Sequence, residues 1–279
     1  MFGAARAAAF IVRHGAICLA SKTTFAIVKV MTQNNLLLIS SSYAGEGSYM
    51  THCWNALKNF YGDSGDKYVL FIPYANAYDW QRFADECIAD FEKHNIKMKS
   101  VLDYTDPRTA LNDENLAGVF VAGGNTYKLL KYLYDYTLID AIKLLVNDGL
   151  PYAGASAGAV VACPGIYTTN DMPMVEPQSL KALGLIPFQI NPHFVSGELV
   201  ANHHGETREQ RIRQFQTEHN IPVVGLRESG WLEIHGSSTE LGGSEPGVLF
   251  AVGKEPVQIG PGLCRNLQAY LTTSASACE

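Results

Sequence analysis

The stretch Tyr152–Val161 reads YAGASAGAVV, and Pro164 follows soon after it. A short apolar strand, Tyr152–Ala155, runs without a loop into Ser156, and an Ala/Gly-rich helix opens directly behind it. A serine on such a strand-to-helix turn projects its hydroxyl above a sheet edge, and Gly154, Ala155, Ala157 and Gly158 are small enough to permit the strained backbone and close packing the turn requires. The first amides of the helix can then stabilise an oxyanion. Taken alone, the stretch reads equally as a Gly/Ala-rich helix start packed on a strand, so its neighbours must decide.

Outward from it, apolar runs and amphipathic helices alternate. Asn35–Ser41 (NLLLISS), Tyr68–Pro73 (YVLFIP) and Val119–Ala122 are short buried strands. Helices are expected over Thr51–Phe60, over Trp80–His94 with Trp80, Phe83, Cys87 and Phe91 on one face, and over Tyr127–Val146 with a break near Asp135. Strands apolar on both faces, alternating with helices, imply a mostly parallel sheet covered on both sides. Leu185–Asn191 and Ile221–Leu226 read as further core strands around a charged helix, Glu206–His219. After Trp231, short segments punctuated by Gly242, Gly243, Gly247, Gly253 and Gly260 indicate an antiparallel edge. The reading is one α/β domain over residues 31–262.

Composition narrows the chemistry. With 21 Lys+Arg against 27 Asp+Glu the net charge is -6, the wrong sign for gripping nucleic-acid phosphates. No run approaches the roughly 18 apolar residues of a membrane span. The six cysteines contain no CxxC pair and read as reduced thiols; with no glycosylation acceptor present, a cytoplasmic protein is expected. Residues 1–30 are basic, Ala-rich and free of acidic residues. They read as an extension before an internal start at Met31, a disordered tail, or a targeting segment that would make the protein mitochondrial. Residues 263–279 read as a C-terminal tail, frayed from Thr272 onward.

A nucleophilic serine needs donors and a base. Gly123-Gly124 ends another strand, and the amides of Gly124 and Ala157 are candidates for an oxyanion hole. Neither nucleotide-binding glycine signature occurs. His193 ends the strand Gln189-Ile190-Asn191 behind Pro192, which makes it the best-placed base. His203 and His204 are adjacent and read as a solvated loop; no metal is expected, and His14, His52, His94, His219 and His235 have no special context. For the carboxylate that orients the base there are two candidates, Glu228 after Val223–Leu226 and Asp171 after the elbow helix. Glu228 is favoured because a strand end is the more rigid mount.

These segments together resemble the aspartyl dipeptidase (peptidase E) family of serine peptidases, from about Leu36 to Phe250. The carriers are Ala122-Gly-Gly-Asn-Thr126, Gly154-Ala-Ser-Ala-Gly158 with Cys163-Pro164, Thr169-Asn-Asp-Met-Pro173, Gln189-Ile-Asn-Pro-His-Phe194, Gly205-Glu-Thr-Arg-Glu-Gln-Arg-Ile212 and Gly225-Leu-Arg-Glu228. The resemblance implies a class I glutamine amidotransferase-like, flavodoxin-like three-layer fold with serine in place of cysteine, no cofactor, and hydrolysis of dipeptides with N-terminal aspartate. In that family the third catalytic residue has been assigned both to the carboxylate matching Asp171 and to the one matching Glu228. The substrate class makes Arg208 a candidate reader of the aspartate side chain, with Glu206 and Asn125 as further substrate-binding candidates. Arg211 and Arg213 are read as solvated, the latter paired with Glu209. Two rival readings are another amidohydrolase on the same scaffold and a catalytically inactive binding protein. Neither the oligomeric state nor the residue preferred after aspartate follows from the sequence.

Overall fold

The computed structural model describes residues 34–197, 205–263 and Leu267. All of them belong to one compact unit, Met31–Glu279. The expectations for residues 1–30, for His203 and His204, and for the tail apart from Leu263 and Leu267 lie outside the described residues. Among the described residues no helix is long and apolar enough to cross a membrane.

The first part of the chain supplies β1 (Asn35–Ile39), α1 (Trp54–Tyr61), β2 (Tyr68–Ile72), α2 (Trp80–Lys93), β3 (Met98–Ser100), β4 (Leu116–Val121), α3 (Thr126–Asp135), α4 (Leu138–Asn147), β5 (Tyr152–Ala155) and α5 (Ala157–Val161). It then gives β6 (Gln189–Asn191), α6 (Arg208–Glu218), β7 (Val223–Gly225), β8 (Trp231–His235), β9 (Ser238–Gly242), β10 (Gly247–Phe250), β11 (Val257–Ile259) and β12 (Gly262–Leu263). The main sheet runs β12-β9-β8-β1-β5-β4-β2-β3. Its five strands from β1 to β3 are parallel, and β8, β9 and β12 form the antiparallel edge.

The apolar run of β2 shows why this sheet is buried twice over. Val69 and Phe71 pack with Trp54 and Leu57 of α1 and with Ala84, Cys87 and Phe91 of α2. Leu70 and Ile72 point the other way, toward Leu129, Leu130 and Leu133 of α3, Ile142 of α4 and Val160 of α5. Strand residues alternate between faces, so a strand covered on both sides must be apolar at every position. The expected break in the long helix is present: α3 and α4 are separate, and Thr137 between them has a left-handed backbone, φ 52°.

Two features were not anticipated. The strand β3 has only three residues and an exposed central Lys99, too short for a periodicity to register. More consequentially, β6 and β7 do not join the main sheet: with β10 and β11 they form a second sheet, order β11-β10-β7-β6. Its inner face, including Ile190 and Val224, shares the core with α3 to α5, and its outer face buries Val223, Val248 and Phe250 against Ile212 of α6. An apolar composition marks such strands as buried and says nothing of which sheet they pair in.

Parallel strands end at a common edge, and ligands of open α/β sheets collect at the carboxyl ends of the strands. Here the ends of β1, β4 and β5 deliver Ser40, Gly123-Gly124 and Ser156. The ends of β6 and β7, parallel to each other in the second sheet, deliver His193 and Glu228.

Candidate active site

Ser156 caps α5 with φ 50° and ψ -107°, a conformation L-residues rarely adopt and one costing about 1–3 kcal/mol. Its own backbone holds it there: the Ser156 N–H donates to Ile39 O (2.9 Å) and its carbonyl accepts from Val160 N–H (3.0 Å). The turn also needs Gly158, because a Cβ at that position would lie 2.1 Å from the Val121 carbonyl oxygen. Sequence and geometry agree on this elbow because tight turning and close packing both demand small side chains.

The Ser156 hydroxyl lies 2.8 Å from His193 Nε2, and His193 Nδ1 lies 2.8 Å from Glu228 Oε2. With Nδ1–H donating to the carboxylate, Nε2 is left as the acceptor for the serine proton. The His193 and Glu228 side chains are 35% and 48% exposed, so the pair is open to solvent at the rim. His193 also has a left-handed backbone, φ 54°.

Asp171 sits elsewhere. Its Oδ2 accepts from the Thr126 N–H (2.8 Å), the Thr126 hydroxyl (2.6 Å) and the Thr169 hydroxyl (3.1 Å), tying the segment after α5 to the first turn of α3. Of the two carboxylates left open by the sequence, only Glu228 is hydrogen-bonded to the imidazole among the described residues.

Gly124 has φ 138°, and a Cβ there would lie 2.3 Å from the Ala75 carbonyl oxygen. A Cβ on its neighbour Gly123 would stand 3.3 Å from Ser156 Cβ, so this loop borders the serine directly. Ala157 is the first residue of α5, where an amide has no intrahelical acceptor. Both proposed oxyanion donors therefore belong to segments that meet at Ser156.

The remaining candidates divide. Arg208 is the first residue of α6, behind a Thr207–Gln210 capping box, and donates through Nη1 to Asn170 Oδ1. Its Nε is buried without a hydrogen-bond partner, and burial together with the nearby Arg211 holds its guanidinium below the ordinary value, opposed by Asp171. Asn125 makes its side-chain hydrogen bonds within the protein. Its Oδ1 caps α3 by accepting from Lys128 N–H (3.0 Å), and its Nδ2 donates to Met172 O (2.9 Å), so both ends of the amide are engaged in shaping the loop. Glu206 is exposed and accepts from Gln214 Nε2 (2.7 Å), with Arg211 Nε 3.7 Å away, so both of its contacts are to side chains of α6. Arg213 pairs with Glu209 as read.

Sequence reading missed Asn170, the partner of Arg208, which also donates to the Pro192 carbonyl (2.9 Å) just before His193. His52, which has no special context in the sequence, lies within electrostatic reach of Glu228. That ring packs toward Trp231 (centroids 6.5 Å), both of its nitrogens are buried without partners, and burial pushes its pKa down while the charge of Glu228 pulls it up. Nothing in the sequence near His52 signals that Glu228 lies close by. The free thiols Cys53, Cys87 and Cys163 are buried and each is pushed up to about 12, which makes them inert at neutral pH.

Comparison with known proteins gives the family. The family model for peptidase family S51 matches residues 36–242. A Streptomyces coelicolor protein named Peptidase E is 40% identical over 228 residues, 82% of this chain and 92% of that one. A Drosophila melanogaster protein named Probable alpha-aspartyl dipeptidase is 37% identical over 81% of this chain and 94% of its own length. The crystal structure of a peptidase from an acI-B1 Actinobacterium shares the fold, with a TM-score of 0.61 at 16% identity, covering 84% of this chain and 97% of that one. A serine elbow on a parallel sheet, matched by a family model over most of the described residues and by relatives this similar, leaves one conclusion: the chain belongs to peptidase family S51 and is a serine-type hydrolase.

Proposed function

We propose that this chain is a dipeptidase acting on Asp-Xaa substrates, with Ser156 as nucleophile, His193 as general base and Glu228 as the carboxylate that orients it. The observation carrying this reading is the continuous relay from Ser156 Oγ through the His193 ring to Glu228, with 2.8 Å at each step. His193 Nε2 takes the serine proton as Oγ attacks the peptide carbonyl, and Glu228 stabilises the imidazolium that forms. The oxyanion is received by the Gly124 and Ala157 amides. The imidazolium then protonates the leaving amine, and water activated by the same histidine releases aspartate from the acyl-enzyme.

Specificity for an N-terminal aspartate is assigned to Arg208. A guanidinium with one arm on Asn170 and an unpartnered Nε has donors left for a carboxylate, and because burial and the neighbouring Arg211 disfavour its charged form, an anion arriving beside it would be held favourably. The alternative carboxylate Asp171 is given a structural part, holding the start of α3.

The test is a dipeptide panel run on the wild-type chain, Ser156→Ala and Arg208→Ala. Asp-Leu should be cleaved by the wild type, Ser156→Ala should be folded and inactive, and Arg208→Ala should lose its preference for Asp-Leu over Asn-Leu. Turnover by Ser156→Ala rejects the nucleophile, and an unchanged Asp/Asn ratio in Arg208→Ala rejects the specificity assignment.

A further inference from the structure

The strand end that carries no group of the catalytic relay nevertheless touches every segment that does. Ser40, directly after β1, is fully buried. Its hydroxyl makes two hydrogen bonds to distant parts of the chain: it accepts from the His193 backbone N–H at 2.9 Å and donates to the Leu226 carbonyl at 2.9 Å. Its own N–H donates to Gly230 O (2.9 Å), and the preceding carbonyl, Ile39 O, accepts from Ser156 N–H (2.9 Å). Ile39, the last residue of β1, and Ser40 directly after it thus hold the serine turn, the histidine segment and both sides of the Arg227–Ser229 loop that contains Glu228.

We infer that Ser40 is a positioning residue that sets His193 against Glu228 through its hydroxyl. The physical need for it is specific. His193 has φ 54°, which a residue with a Cβ keeps only if the surroundings fix it, and the Ser40 acceptor takes the very N–H whose direction that torsion determines. The same hydroxyl donates its proton to the carbonyl of Leu226, two residues before Glu228, so one group sets the separation of base and carboxylate. Alanine at this position removes one buried oxygen and leaves the His193 N–H without its acceptor. Leu226 O keeps its second donor, Phe194 N–H at 2.8 Å, so the two segments remain adjacent and what is lost is their alignment.

This inference rests on the proposed Ser156–His193–Glu228 relay, and the experiment separates the two. Ser40→Ala is compared with wild type and Ser156→Ala for kcat and KM on Asp-Leu, for the acid limb of kcat/KM against pH, and for melting temperature. The expected result is a folded Ser40→Ala with kcat lowered 10- to 100-fold, KM within threefold, and the acid limb displaced to lower pH because a misaligned carboxylate stabilises the imidazolium less. An unchanged kcat overturns the inference, and so does a lowered kcat with an unmoved acid limb, which is the mark of a purely structural role. Should Ser40→Ala fail to fold, Ser40→Cys preserves the shape with a weak hydrogen-bonding group, and the same readouts apply. Activity surviving in Ser156→Ala would instead bring down the underlying relay.

Discussion

Replacing Glu228 by Gln tests which carboxylate serves the histidine. The substitution conserves volume and removes one negative charge 2.8 Å from His193 Nδ1. Two unit charges about 4 Å apart attract by about 1 kcal/mol in water and about 4 kcal/mol near a protein surface. With Glu228 48% exposed, the real value lies between these limits. The imidazolium formed during attack should lose that stabilisation, which corresponds to a drop in kcat/KM of roughly 5- to 1000-fold, centred near a hundredfold. Asp171→Asn provides the contrast. Asp171 accepts from one backbone amide and two threonine hydroxyls at the start of α3, so its change should lower the melting temperature while kcat stays within about tenfold. The assay is leucine release from Asp-Leu, with melting followed in parallel. If Glu228→Gln retains activity within threefold of wild type while a well-folded Asp171→Asn loses more than a hundredfold in kcat, the assignment made from the hydrogen bonds is wrong.

Ser156→Gly should be inactive yet more stable, because glycine adopts φ 50°, ψ -107° without strain; after allowing for glycine's backbone entropy, a gain of about 1 kcal/mol is expected. That corresponds to a melting temperature raised by about 2–4 °C, and a lowered one would show the elbow is unstrained. A pH effect is expected at His52. Burial depresses its pKa, so the fold favours the neutral ring; this stability is present above the unfolded value of about 6.5 and is lost as pH falls through the folded value. Wild type should therefore lose more melting temperature between pH 7.5 and 5 than His52→Phe does, and parallel curves would remove His52 from that role.

Much of this protein was legible before any coordinates. The doubly apolar runs of β1, β2 and β4 required a sheet buried on both faces, and the small residues around Ser156 required a tight strand-to-helix turn, because sterics and burial act on residues adjacent in the chain. Tertiary structure decided what depends on distant segments meeting. It put β6 and β7 in a second sheet, turned Asp171 toward Thr126 and Glu228 toward His193, and engaged both ends of the Asn125 amide in the loop. It also drew Ser40 and His52 toward Ser156, His193 and Glu228, each more than a hundred residues away in the chain. A sequence fixes which side chains each strand end carries; hydrogen bonds a few ångströms long across the sheet edge determine which of them face one another, and no local pattern encodes that.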